Sequence, residues 1–261
     1  MREQIMGLIT PTMAIVFFAV FLVMWWRGKM GSYVLGFAAT YLLFAIGFGT
    51  THLFDTGSPY VFHITQFFYS MSTATAIWAL TRRAGQPPYL GVLLVIYALS
   101  AVTLGVAVVT TPEISSRLII VNVGYGAMYL VCLMSLLGGQ RREAIDKLII
   151  VAHSILAAQF MIRPVLTLLV EQGIAAEGYR ESVYYSVLNL SLALISLMSA
   201  MVLVGACVYD QIKAVREQAE LDGLTGLRTR RAFEQDVVEL LERAKQECLP
   251  VSLVVADIDH F

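Results

Sequence analysis

Residues 221–261 read LDGLTGLRTRRAFEQDVVELLERAKQECLPVSLVVADIDHF, and this stretch sets the expectation for the whole chain. Asp222-Gly223 is a turn pair and Thr225-Gly226 a second break, after which the polar run Arg228 to Arg231 leads into a helical period. Phe233, Val237, Leu240, Leu241 and Ala244 share one face of that helix, while Glu234, Asp236, Glu239, Glu242 and Arg243 are left to meet water. Beyond Pro250, the run Val251-Ser252-Leu253-Val254-Val255-Ala256 has no alternation, which predicts a strand covered on both faces. It ends in Asp257-Ile258-Asp259. A carboxylate at the carboxyl edge of a buried strand lies beside the crevice where α/β sheets bind ligands, and is a hard oxygen donor suited to Mg²⁺ carrying a nucleotide phosphate. An Asp in that place also serves as a helix cap or loop former, so spacing leaves both roles open.

The segment Asp222-Gly223-Leu224-Thr225-Gly226-Leu227-Arg228-Thr229-Arg230-Arg231 resembles the D-x-L-T-G-L-x-N-R-R opening of the diguanylate cyclase (GGDEF) family. Asp257-Ile258-Asp259-His260-Phe261 is similar to that family's D-I-D-x-F strand end, and the two blocks are separated by the helix and strand the family would place between them. Thr229 stands where Asn is usual. The resemblance implies that Asp257 is a metal ligand joined by the Ile258 carbonyl, and that the backbone around His260 and Phe261 lies near the triphosphate of GTP. It implies that Asp222 and Arg231 order the entry turn. It further implies that two such domains face each other and join two GTP into cyclic di-GMP, with Mg²⁺ as cofactor and a second copy of the chain as partner. The second carboxylate for the metal belongs to the GG[DE]EF loop, which the 261 residues do not reach. The chain is therefore expected to be the inactive front of a longer enzyme, with residues 221–261 poorly ordered. The alternatives are a degenerate GGDEF receptor that binds GTP or cyclic di-GMP without catalysis, and part of a cyclase–phosphodiesterase fusion.

Upstream, the composition is that of a membrane protein. Hydrophobic residues make up 58% of the chain and charged residues only 14%, well below the roughly 25% charged of soluble domains. A net charge of −1, with the basic residues split among loops, gives no nucleic-acid footprint. Cys132, Cys207 and Cys248 are scattered and suggest neither a disulfide framework nor a metal site. Apolar stretches at 6–26, 32–50, 61–80, 89–110, 117–138, 147–170 and 184–208 are each long enough to span a bilayer. The first carries Glu3 beside Arg2, continues through Trp25-Trp26 and has no cleavage site, so it reads as a retained span. Arg27, Lys29, Arg82, Arg83, Arg141, Arg142, Lys147, Lys213 and Arg216 fall on one side, against Arg2, Arg117 and Arg180 on the other. This bias puts the N-terminus outside and the C-terminus in the cytoplasm of a bacterial inner membrane. Trp25, Trp26, Tyr89 and Tyr209 stand near span ends as interface anchors.

The expected fold class is thus an all-α polytopic membrane bundle of seven transmembrane helices (1–208), a helical linker (209–220) and the start of an α/β GGDEF domain (221–261). Within the linker, Met201, Gly205, Val208, Ile212, Val215 and Ala219 step by four and three, which fits either a dimerising coiled coil or a plain amphipathic stalk. No lysine lies in the interior of a span to hold retinal, Lys147 being the first residue of the sixth, and no histidine stands between the last span and Asp222 to accept phosphate, which argues against a light-driven pump and a sensor kinase. Since no soluble sensor domain interrupts the spans, the signal, whose identity is unknown, must be read in or beside the membrane.

An ionisable group at bilayer depth costs at least ~2.5 kcal/mol and asks for a partner. Arg163, followed by a helix-kinking Pro164, either holds an anionic ligand in a bundle cavity or snorkels outward and pairs with Asp55 or Glu171. His52 and His63, with Gln66 a turn further along, either ligate a metal or haem or make interface hydrogen bonds. His153 with Gln159 reads as an interhelical hydrogen bond, and Asn122, Tyr125, Tyr129 and Asn189 read as helix-packing groups.

Overall fold

The computed structural model of the chain describes residues 2–28, 30–53, 59–111, 114–139, 143–170, 183–222 and 224–256. They form α1 (Arg2–Gly28), α2 (Ser32–Leu53), α3 (Pro59–Arg83), α4 (Leu90–Thr110), α5 (Ile114–Leu137), α6 (Ala144–Val170), α7 (Val183–Ala219) and α8 (Arg230–Glu247). The chain divides into two compact units, Met1–Val208 and Tyr209–Phe261.

Six helices, α1, α2, α4, α5, α6 and α7, are long and apolar enough to cross a bilayer, so the chain is a multi-pass membrane protein. The expected third span is present as the helix α3, but its composition does not qualify it as a seventh. Thr65, Gln66, Ser70, Ser72, Thr73, Thr75 and Thr81 interrupt its apolar surface. A helix of that polarity cannot face lipid all round, and the fold encloses it: α3 packs against α2, α4 and α5. Gln66, Ser70, Ser72, Thr73 and Thr81 are all buried.

Small residues and hydroxyls make that enclosure possible. A Cβ on Gly36 of α2 would lie 2.9 Å from the Ala79 Cβ and 2.8 Å from the Trp78 ring, so only glycine lets the two backbones approach this closely. The Ser72 hydroxyl donates to the Thr40 carbonyl of α2 at 2.9 Å, and Gln66 Nε2 donates to Ser100 Oγ of α4 at 2.8 Å. At the far end of α3, Arg83 pairs with Asp146 of α6 at 2.6 Å, with the two side chains only 8% and 27% exposed. Leu94, Val95, Leu99, Val102 and Val109 of α4 point outward, as on a lipid-facing helix.

In the second unit, α7 stays helical through the linker to Ala219. The α8 helix forms where the apolar period places it, but Phe233, Leu240 and Leu241 on its apolar face are about half exposed. The strand expected over 251–256 is not formed. These residues are exposed, Val254 at 88% and Val255 at 82%, and no strand occurs among the described residues. The reason is physical: a β-segment is held by a ladder partner and by covering on its faces, and the described residues supply neither. No α/β domain is therefore seen.

The Gly36 contact gives a direct test. Gly36→Val should force α2 away from α3 and destabilise the folded bundle by ~1–3 kcal/mol, seen as a lower thermal midpoint in detergent. The same change at Gly91, where an added Cβ meets nothing within 4 Å, should leave the midpoint almost unchanged.

Candidate functional site

Two arrangements of side chains can do chemistry, one in each unit. In the second unit, the residues from Asp222 to Thr229 form a closed loop built on one carboxylate. Asp222 Oδ1 accepts from the Thr225 amide at 3.0 Å, the Thr225 hydroxyl at 2.8 Å and the Leu224 amide at 3.2 Å. The Asp222 amide donates to the Leu227 carbonyl at 2.7 Å, and the Gly226 amide to the Asp222 carbonyl at 2.9 Å. Gly226 has φ +68°, a conformation open to glycine at little cost. An isolated antiparallel bridge between Leu221 and Arg228 closes the loop at its base.

This geometry explains why the block needs Asp, Thr and Gly at these spacings. The carboxylate takes three donors, the threonine hydroxyl joins it, and the glycine supplies the left-handed turn. The Asp222 carboxyl is held below its ordinary value by the Thr225 amide first, then by the Thr225 hydroxyl and the Leu224 amide. Thr229 caps α8, its hydroxyl accepting from the Ala232 amide at 3.4 Å. Asn and Thr are both N-cap residues, so the departure from the family pattern at this position leaves a working cap.

Arg231 is exposed on the first turn of α8. The guanidinium that ties the turn together is that of Arg228, which sequence reasoning passed over. It binds Asp236 through two nitrogens at 2.7 and 2.6 Å and Glu220 at 2.6 Å. The signal was available in the i, i+8 spacing of Glu220, Arg228 and Asp236. Asp257, Ile258, His260 and Phe261, expected at the metal and triphosphate, lie outside the described residues. Among the described residues no three His, Cys, Asp or Glu side chains gather to hold a metal ion.

In the first unit, a cavity of about 210 Å³ lies inside the bundle, more than ten times the roughly 10–15 Å³ that one water needs. Its walls come from α2, α3, α5, α6 and α7. A continuous chain of rings crosses four of these helices. Phe44 meets Tyr69 at 5.4 Å, Tyr69 meets Tyr125 at 6.3 Å, Tyr125 meets Phe160 at 5.5 Å, and Phe160 stacks on Tyr129 at 5.8 Å with only 9° between planes.

Polar atoms are set among the rings. Gln66 is 2% exposed and lines the cavity; its Nε2 is committed to Ser100, and its Oε1 is buried without a hydrogen-bond partner. The amide direction follows from the network, because Ser100 Oγ donates to the Ile120 carbonyl and so must accept from Gln66. Ser199 Oγ on α7 is likewise buried and unpartnered. Arg163 lines the same cavity. Its expected partners Asp55 and Glu171 lie outside the described residues. α6 runs unbroken through Pro164, and the Thr167 hydroxyl takes up the Arg163 carbonyl at 2.9 Å.

Of the residues expected to form a ligand site, the cavity is lined by Gln66 and Arg163. His63 lies against Gly105 of α4, and the His52 side chain lies outside the described residues. His153 does line the cavity, but its Nδ1 bonds within its own helix, to the Ile149 carbonyl at 2.8 Å, instead of across to a neighbour. A carbonyl only accepts, so Nδ1 carries a proton. The interhelical bond comes from Gln159, whose Nε2 donates to Ser191 Oγ of α7 at 3.3 Å. Asn122, Tyr125, Tyr129 and Asn189 are wall residues of the cavity as well as packing groups. The α3 positions Thr65, Gln66, Tyr69, Ser72, Thr73 and Ala76 share one helical face, and that polar stripe was the legible sign of a cavity.

Arg117 was counted only as a loop charge. It is buried, with its guanidinium 5.0 Å from the Phe62 ring and one nitrogen donating to the Thr111 carbonyl at 3.2 Å. Comparison with protein-family models, curated proteins and solved structures returns no match for the chain.

The loop carries a pH prediction with a definite sign. A carboxyl lowered in the folded state contributes order above its ordinary value and loses it as pH falls through the lowered one. Protection of the Leu224 and Thr225 amides, taken as intrinsic over observed exchange rate, should therefore hold at neutral pH and fall on acidification below the usual carboxylate range. In Asp222→Ala that protection should be low at every pH.

Proposed function

We propose that the chain is the membrane-embedded, signal-receiving front of a diguanylate cyclase of the bacterial inner membrane. The observation that carries the reading is the loop at residues 222–229. Its D-x-L-T-G-L block is closed around Asp222 and opens directly into a capped helix, and in sequence the apolar run Val251 to Ala256 then leads to Asp257. The α3 helix, shielded from lipid, serves as the seventh crossing, since its 25 residues reach about 37 Å against a hydrocarbon core of about 30 Å. An odd number of crossings, with the basic residues on the inner side, puts the N-terminus outside and residues 209–261 in the cytoplasm, where GTP is.

In the completed protein, two copies present their GTP-bound domains to each other. Each 3′-hydroxyl attacks the α-phosphate of the opposite nucleotide, a new P–O bond forms, pyrophosphate leaves, and cyclic di-GMP results. Asp257 and the Ile258 carbonyl would hold Mg²⁺, being hard oxygen donors of the kind that ion takes, with a second carboxylate from a GG[DE]EF loop further along a longer chain. When bound, the ion supplies charge neutralisation on the phosphates. The backbone at His260 and Phe261 accommodates the triphosphate. The Asp222 loop and the Arg228 pairs fix where α8 starts, and so where the strand that ends at Asp257 must begin.

The stalk supplies the pairing. Met201, Val208, Ile212 and Val215 of α7 are exposed and fall on one helical seam, available to the same seam of a second copy.

The test is product formation from GTP by the protein extended through a complete GGDEF domain and held in membranes. Cyclic di-GMP should accumulate, and Asp257→Ala should lower its rate at least a hundredfold with GTP still able to enter. A protein with an intact GG[DE]EF loop that binds GTP and makes no product, or an Asp257→Ala variant at full rate, would overturn the assignment.

A further inference from the structure

We infer that the cavity between α2, α3, α5, α6 and α7 is a binding site for a hydroxylated aromatic molecule. Three features of the walls point to that class. The first is the ring chain Phe44, Tyr69, Tyr125, Phe160 and Tyr129, whose edge-to-face and stacked contacts present alternating ring faces and edges. A flat ring gains offset-stacked and edge contacts there that an alkyl chain does not.

The second feature is an unmet acceptor. Gln66 Oε1 is buried with no hydrogen bond while its amide nitrogen is fixed on Ser100. A buried acceptor left unmet is costly, so the site favours a guest that brings a hydroxyl donor. Ser199 Oγ, buried and unpartnered on the α7 wall, can accept from or donate to a second hydroxyl. The third feature is Arg163, whose positive charge in the wall disfavours an organic cation that the rings would otherwise attract. A phenolic or quinol ring satisfies all three. It reaches the site either from the bilayer, as a quinol, or from the aqueous phase, as a phenolic acid whose carboxylate turns to Arg163.

The placement of the site suggests what binding does. Asn189, Leu192, Ser196, Ser199 and Leu203 put α7 along one wall, where Tyr41 donates to the Ser196 carbonyl at 3.4 Å and Gln159 to Ser191 at 3.3 Å. α7 is the helix that continues to Ala219. A guest that bonds Gln66 on α3 and packs against the α7 wall adds a tie between an enclosed helix and the helix that continues beyond the bundle. This binding inference stands on the first unit alone, so it survives or fails independently of the cyclase reading.

The experiment is titration of the full chain in lipid nanodiscs with two probes, a short-tailed benzoquinol and 4-hydroxybenzoate, read by calorimetry. Saturable binding of either probe is expected, and which probe binds identifies the source as bilayer or water. Gln66→Leu and Ser199→Ala should each weaken binding roughly five- to tenfold while the thermal midpoint of the empty protein stays the same or rises. Arg163→Gln should weaken the acid and leave the quinol unchanged. Absence of saturable binding by both probes overturns the inference, as does binding unaltered in both Gln66→Leu and Ser199→Ala. Equal binding of decane-based and ring-based probes would also overturn it, because it would show that the cavity takes any apolar chain.

Discussion

A helix too polar for lipid has to be surrounded by protein, and this constraint organises the membrane unit. α3 carries hydroxyls and an amide along its length, so the other helices enclose it. Gly36 admits the α3 backbone, Ser72 bonds the α2 backbone, Gln66 reaches Ser100 on α4, and Arg83 reaches Asp146 on α6. Each contact meets a group that would otherwise stand unsatisfied in hydrocarbon. The same polarity that excludes α3 from the six apolar spans makes its inner face a cavity wall.

From that wall the physical connection to function runs through α7. The helix borders the cavity in its first half and carries an exposed apolar seam in its second. α7 is thus the wall element that also continues into the stalk. The Asp222 loop then matters as a rigid starting point. Its three donors to one carboxylate, its glycine turn and the Arg228 pairs fix the entry to α8 through contacts made entirely within residues 220–236.

Much of this was legible in the sequence, and the exceptions have identifiable causes. Helices α1, α2 and α4 to α7 follow from continuous apolar runs, and the Asp222 turn and the α8 cap follow from residues acting on their immediate neighbours. α3 was read as a span from its length, but its serines and threonines hydrogen-bond back along the helix or across to α2, and a hydropathy sum does not see that. Val251 to Ala256 has strand composition, yet a strand depends on residues distant in the chain, and composition cannot provide the partner. His153 was assigned an interhelical bond because a buried imidazole needs one partner; sequence could not show that Ile149, one turn away, supplies it. Asn122, Tyr125 and Tyr129 on α5 and Ser199 on α7 were hard to read as one site because they come together only through the packing of two separate helices.

The enclosure of α3 is the claim from which the cavity and the proposed seventh crossing both follow. It is tested most directly by oxygen accessibility of nitroxide labels in a lipid bilayer, placed singly on α3 at Ser70 and Thr73 and on α4 at Leu94 and Val102, with the native cysteines replaced. The account predicts high oxygen collision rates at both α4 positions and low rates at both α3 positions. Rates on α3 as high as those on α4 would place α3 against lipid and contradict it.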